Sequence, residues 1–228
     1  MNKFAVRPIL NLYERDSTTG ETSAVINPKC EWVYENIGIA VAKLDSLLCR
    51  IKKGKLYRLH TRKFTTEGRV KARTADSTTK WDITDYRPFS ENWEQALEPD
   101  PATGKWVGWT EAVNTSQYKY MVSALAEIPE VENVDDELCE LIGPQINNNP
   151  HRVSKHLILP FGLFKVDIKR DRATFIKWME SHPRYEGIIF IHNDHNFMAK
   201  ITRKELGLAW PPPKTAITRP NINRLLPA

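Results

Sequence analysis

Cysteine is scarce in this chain of 228 residues: there are three, Cys30, Cys49 and Cys139. They are too few and too scattered for a disulfide framework, and none has metal-ligand spacing. Long apolar runs are missing as well, since no stretch approaches the roughly 18 to 20 residues that a membrane-crossing helix needs. Met1–Asn11 holds only a short apolar patch without a small-residue cleavage pattern, so no secretory signal is read there. There is no internal repeat. These absences lead us to expect a reduced, intracellular (cytoplasmic) protein that does not engage a membrane.

What is present is an ordinary globular balance, 41% hydrophobic and 27% charged residues. The length suits one domain better than two. A net charge of +5 favours a phosphate-rich partner, because cationic side chains displace the counterions condensed on nucleic acid. Many unrelated proteins share that balance, so charge only narrows the field.

Four regions follow one another. Residues 1–40 are mixed, with turn-rich stretches at Asp16–Gly20 and Asn27–Lys29. Residues 41–64 read as a β-hairpin about a Lys52-Lys53-Gly54-Lys55 turn, with Lys43 on a strand that begins at Ile39 and Arg58–Arg62 on the return strand of the same hairpin. Residues 65–114 are polar and rich in Trp, Pro, Thr and Asp, and predict a long, partly irregular excursion. From 117 to 200 strand and helix signals alternate. Tyr118–Ile128 has helical spacing, Leu138–Ile142 is a short buried strand, and Asp171 caps a helix that carries Phe175, Ile176 and Met179 on one face. Gly187–His192 and Phe197–Thr202 form a hairpin around Asn193–Asn196, and a tail opening with three prolines follows Trp210.

Chemistry concentrates in four stretches. Lys43-Leu44-Asp45 sets an amine beside an acid. A lysine attacks phosphorus only when neutral, which burial or nearby cations promote. If Asp45 continues the strand it shares the Lys43 face. Arg58–Arg62 is a basic strand whose guanidinium forks suit phosphate. In Glu140-Leu-Ile-Gly-Pro-Gln-Ile-Asn-Asn-Asn-Pro150 a carboxylate sits within an apolar strand and so needs a polar partner; sugar hydroxyls would serve. The fourth stretch joins Glu186-Gly-Ile-Ile-Phe-Ile-His192 to Met198–Lys204. There a four-residue loop sets Glu186 opposite Arg203 with Lys200 on the other side. A loop of three or five puts Glu186, Ile188 and Phe190 on one face with Lys200, Thr202 and Lys204, and only that register surrounds one ligand with acid, apolar floor and lysine. His192 and His195 straddle the turn, two histidines that do not make a metal site. The seven tryptophans are read as packing, with Trp106 and Trp109 flanking a glycine.

The order Lys-x-Asp, basic strand, Glu strand, Glu-Gly-Ile-Ile and Lys-Ile resembles the collinear motifs of the covalent nucleotidyltransferases, the ligases and capping enzymes. More closely, the chain resembles the compact ATP-dependent RNA ligases of the RNA ligase 1-like family. The segments Pro99–Trp109, Glu140–Pro150 and Glu186–Trp210 carry that match, within a similarity that runs from about Glu31 to Pro211. The resemblance implies an α+β nucleotidyltransferase (ATP-grasp-like) fold, with two antiparallel sheets, flanking helices and a nucleotide groove between them. It implies one adenylation domain over 1–211, with the excursion at 65–114 over or beside the groove. A Pro-rich tail over 212–228 completes the chain without an oligonucleotide-binding domain, and a monomer is expected.

By the same resemblance ATP and Mg²⁺ are the cofactors and RNA 5′-phosphate and 3′-hydroxyl ends the partners, in an RNA-repair setting. Lys43 takes AMP from ATP and Asp45 supports it. Arg62, with Arg58 as second candidate, holds a phosphate. Glu140 binds ribose, Glu186 acts on a metal or on the lysine, Lys200 neutralises phosphate, and Ile188 and Lys204 line the nucleotide. Adenine stacking falls to Phe161 or Phe164. Two positions depart from the family: Ser46 stands where glycine follows Lys-x-Asp, and Thr202 where a second lysine is usual. Those departures keep a second expectation open, a catalytically impaired or non-catalytic RNA- or nucleotide-binding protein on the same scaffold. A DNA ligase or GTP-using capping enzyme is the third.

Overall fold

The structure, a computed structural model, describes residues 9–16, 19, 22–89, 92–113, 118–194 and 197–213. It is α+β. In chain order the strands are β1 (Ile9–Asn11), β2 (Tyr13–Arg15), β3 (Thr22–Ile26), β4 (Ile39–Lys43), β5 (Leu47–Lys52) and β6 (Lys55–Lys63). They continue as β7 (Glu94–Gln95), β8 (Lys105–Glu111), β9 (Asp136–Ile142), β10 (Leu157–Pro160), β11 (Lys165–Val166), β12 (Gly187–Ile191) and β13 (Met198–Thr202). The helices are α1 (Thr66–Arg73), α2 (Tyr118–Leu125) and α3 (Arg172–Ser181).

Two larger sheets face one another. One has the order β1-β13-β12-β4-β11, the other β10-β9-β5-β6-β8-β7. The second is antiparallel throughout, as expected. The first departs from the expectation, because β1 runs parallel to β13. Val41, Ile189, Ile191 and Met198 from the first sheet pack with Trp109, Leu138 and Phe161 into one cluster, so these faces line the interval between the sheets. The far face of the first sheet, with Ile188, Phe190, Ala199 and Ile201, buries Phe175 and Met179 of α3. Asp171 accepts the Thr174 N–H at 2.9 Å and caps that helix, a contribution of about 1 kcal/mol.

The turn expected at 52–55 joins β5 and β6, and Lys53 and Gly54 there both have positive φ, 50° and 70°, as a tight two-residue hairpin turn requires. The strand from Ile39 is not part of that hairpin, because β4 ends at Lys43 and belongs to the other sheet. The excursion is more regular than its composition predicts. It contains α1, and β8 pairs with β6 from Tyr57↔Glu111 to Lys63↔Lys105. Alternation fails to announce β8 because both of its faces are covered: Trp106 is 9% and Trp109 4% exposed, in different clusters. Among the described residues no helix is long and apolar enough to cross a membrane.

Candidate active site

Lys43 is the last residue of β4, and Leu44, Asp45 and Ser46 then carry the chain into β5 of the opposite sheet. Its ammonium meets the Glu186 carboxylate and also donates to the Leu44 carbonyl at 3.3 Å. Glu186 lies just before β12. Its N–H donates to the Lys43 carbonyl at 3.0 Å, while Gly187 is the paired residue opposite Lys43. Two residues thus oppose one, and the Glu186 side chain escapes the alternation that would turn it away. Gly187 is needed for the approach of β13, because a Cβ there would lie 2.1 Å from the Ile201 carbonyl oxygen.

The β12–β13 register corrects our argument about the loop. Ile191 is opposite Met198, and the His192 N–H reaches the Phe197 carbonyl at 3.0 Å. This is the four-residue register, of which 195 and 196 lie outside the described residues. Glu186 and Lys43 meet nonetheless, for the reason just given. The same register puts Lys200 opposite Ile189 and Ile189 opposite Val41, on the face that Lys43 shares. Among the described residues the Lys200 ammonium has no ion-pair or hydrogen-bond partner, while its carbonyl accepts the Leu12 N–H at 2.8 Å.

Glu140 approaches from the other wall. It pairs with Leu48 of β5 and shares the groove-facing side with Leu138. It is 6% exposed, and its Oε1 accepts the Ser46 hydroxyl at 2.8 Å. Burial pushes its carboxyl up to about 7, against the opposing effects of the Ser46 hydrogen bond and the Lys43 charge. Lys43, Glu186 and Glu140 are therefore electrostatically coupled across the groove.

Asp45 occupies the crossover and does not follow Lys43 along a strand, so the shared strand face expected for it is absent. Its carboxylate accepts the Asn147 amide at 2.7 Å and the Trp210 indole N–H at 2.9 Å. Its own N–H donates to His151 Nε2 at 3.0 Å, and His151 Nδ1 lies 3.0 Å from the Arg184 carbonyl. With Nε2 accepting and Nδ1 donating, the ring is a neutral brace, and burial lowers its pKa. Three segments far apart in sequence thus converge on the residues that follow Lys43.

The family comparisons bear on this groove. Residues 114–225 match the family model for RNA ligase 1. Over that stretch the chain is similar to RNA ligase 1. A curated RNA ligase 1 from Pongo abelii is 26% identical over 185 residues, 62% of this chain and 56% of the relative. The Rattus norvegicus RNA ligase 1 is 28% identical over 174 residues, 58% of this chain and 52% of that protein. The Danio rerio protein is 31% identical over 99 residues, 38% of this chain and 30% of its own length. The chain spans about half the length of the first two relatives. The family match takes in Glu140, Glu186 and Lys200, whereas Lys43 lies before it.

Other expected positions fall outside the groove. Arg58 and Arg62 point from β6 to the opposite face, as Arg58 pairs with Cys49 in the outer core. Arg62 is 3% exposed and donates to the carbonyls of Arg87, Tyr86 and Ile83 at 2.7, 3.1 and 3.0 Å. It braces the excursion and presents no fork to a phosphate. Ile188 is fully buried against α3, and Ile189 on the opposite face is buried in the core between the sheets. Lys204 is exposed in a 3-10 turn because β13 ends at Thr202. The Thr202 hydroxyl is bound to Glu205 Oε2 at 2.8 Å.

Phe161 joins the core between the sheets and Phe164 packs at a tilt against Tyr185, with centroids 5.8 Å apart. Trp106 Nε1 donates to the Leu97 carbonyl at 3.0 Å and Trp109 is buried, so both serve packing. His192 is bonded to Asp194 at 2.8 Å, and among the described residues no group of three His, Cys, Asp or Glu is placed to hold a metal. The roles of His151 and Trp210 beside Asp45 went unread in the sequence, since neither contact is local.

Proposed function

We propose that the chain is an ATP-dependent RNA ligase that joins RNA 5′-phosphate and 3′-hydroxyl ends through AMP carried on Lys43. The observation that carries this reading is the convergence of Lys43, Glu186, Lys200 and Glu140 on one groove between two sheets, in a chain similar to RNA ligase 1 over residues 114–225. Lys43 Nζ, having given up a proton, attacks the α-phosphorus of ATP. The P–N bond forms as the bond to the bridging oxygen breaks and pyrophosphate departs. Glu186, in contact with the amine, orients it and accepts its proton, and Lys200 balances charge on the phosphates. Glu140 receives a ribose hydroxyl. The AMP then passes to an RNA 5′-phosphate, and the RNA 3′-hydroxyl displaces it.

The donor set suits Mg²⁺, which binds through one or two carboxylates and substrate phosphates rather than a protein cage. Glu186 would hold it, and it would supply charge neutralisation at the triphosphate. Lys43, Glu186 and Glu140 give one polar end to the groove, which fits a single nucleotide better than a second bound metal.

Thr202 favours a second reading, a nucleotide- or RNA-binding protein without catalysis. The cation usual at that position is absent, and the hydroxyl there is held by Glu205. One experiment separates the two. Incubation with α-labelled ATP and Mg²⁺, followed by denaturation, should leave label on the chain that Lys43→Ala abolishes. No covalent label from any nucleotide, with RNA binding intact, would leave only the second reading. Label from GTP alone would point to capping chemistry.

A further inference from the structure

The Ser46–Glu140 contact has no counterpart where glycine follows the Lys-x-Asp sequence, since glycine has no side chain. Ser46 lies three residues after Lys43 in the crossover between the sheets, and Glu140 is on the wall that the crossover joins. The hydroxyl donates to Oε1 at 2.8 Å, whereas among the described residues Oε2 accepts no hydrogen bond. A buried carboxylate with one oxygen held has one orientation left for the other. The residue is only 6% exposed, and among the described residues the chain supplies no donor to that second oxygen, which is left to solvent or to whatever enters the groove. A nucleoside has such donors on its sugar edge.

We infer that Ser46 is a positioning residue for sugar recognition: by holding Oε1 of Glu140 it aims Oε2 at a ribose hydroxyl, and so makes the protein select ribonucleotides over deoxynucleotides. This rests on the nucleotide reading above and goes beyond it, because selectivity is assigned to the side chain that departs from the usual motif. Lys43 and Glu186 also face this carboxylate, and neither donates a hydrogen bond to it. The orientation therefore depends on Ser46. Threonine keeps the hydroxyl at this position, and alanine removes it.

The test is equilibrium binding of ATP, 2′-deoxy-ATP and 3′-deoxy-ATP to the full chain, compared among wild type, Ser46→Ala, Ser46→Thr and Glu140→Gln, each checked for folding by thermal melting. Wild type should prefer ATP to at least one deoxy analogue by about tenfold or more, as one hydrogen bond to a charged group gives. Ser46→Ala should bring that ratio to within about twofold of Glu140→Gln, and Ser46→Thr should preserve it. A ratio unchanged in Ser46→Ala would overturn the inference. Equal weakening of all three nucleotides would overturn it too, since Ser46 would then only shape the crossover. If wild type binds no nucleotide at all, the nucleotide reading itself fails. A normal Lys43 label with an unaltered ratio would sink the Ser46 role alone.

Discussion

Removing the Arg62 guanidinium tests whether a basic strand next to a presumed phosphate site serves ligand or fold. The side chain makes three hydrogen bonds to the carbonyls of Arg87, Ile83 and Tyr86, and its guanidinium lies 4.1 Å from the Phe89 ring centroid and 5.0 Å from that of Trp106. Arg62→Ala takes the guanidinium away from three carbonyls, of which that of Ile83 keeps the Tyr86 N–H, and empties space inside an aromatic cluster. Hydrogen bonds to a charged group contribute about 1.5–3 kcal/mol each, and three sharing one group are less than additive, so the expected cost is about 3–5 kcal/mol. For a chain of this length that is a fall in Tm of about 6–20 °C, at roughly 2–4 °C per kcal/mol. Arg62→Lys should recover less than half, because a single ammonium cannot reproduce a planar fork reaching three acceptors. Thermal melting followed by circular dichroism reads the stability, and ATP affinity per folded molecule, measured well below the Tm, reads the site. If Arg62→Ala melts within about 2 °C of the parent and instead loses ATP affinity tenfold, the structural role is refuted and Arg62 contacts the ligand after all.

Glu140 makes a pH prediction. Its folded pKa is raised from 4.5 to about 7, so between those values the folded chain holds a proton that the unfolded chain has released. This group's contribution to stability is complete below about pH 4.5 and is lost as pH rises through about 7. Glu140→Gln should lack that decline, and parallel stability curves for the two proteins would contradict it. Lys200→Ala should slow the labelling of Lys43 by about a hundredfold or more with almost no change in Tm. Lys204→Ala should change neither quantity, and a slowed reaction there would mean that the turn after β13 reaches the nucleotide.

Local signals made much of the frame legible. The Asp171 cap, the Lys53–Gly54 turn and the apolar runs at 138–142 and 187–191 state their own conformation, and each forms as read. The excursion was harder to read, because β8 is a strand only through its pairing with β6 and is covered on both faces. Site geometry was legible in its residue types more than in its directions. Lys43, Glu140, Glu186 and Lys200 come together, yet the loop argument relied on strict alternation and so missed the escape of Glu186 before β12. Arg62 shows the converse. Its chemistry suits phosphate, but the parity of its strand position turns it to the other face, where Nε and one terminal nitrogen donate to carbonyls of residues 83–87. His151 and Trp210 could not be found from sequence at all, since their partners lie 106 and 165 positions away.

The three-residue crossover at 44–46 also limits how the groove can move. From Lys43 to Leu47 the chain can reach only about 13–14 Å when fully extended, little more than the roughly 10 Å at which two sheets pack face to face. A second short strap, residues 161–164, joins β10 of one sheet to β11 of the other. The walls are therefore bound together beside Lys43, as pages are at a spine, and any widening has to come from the far margin. Ligands of different lengths would then meet the same fixed end at the lysine, with the slack taken up where the two sheets have no such tie.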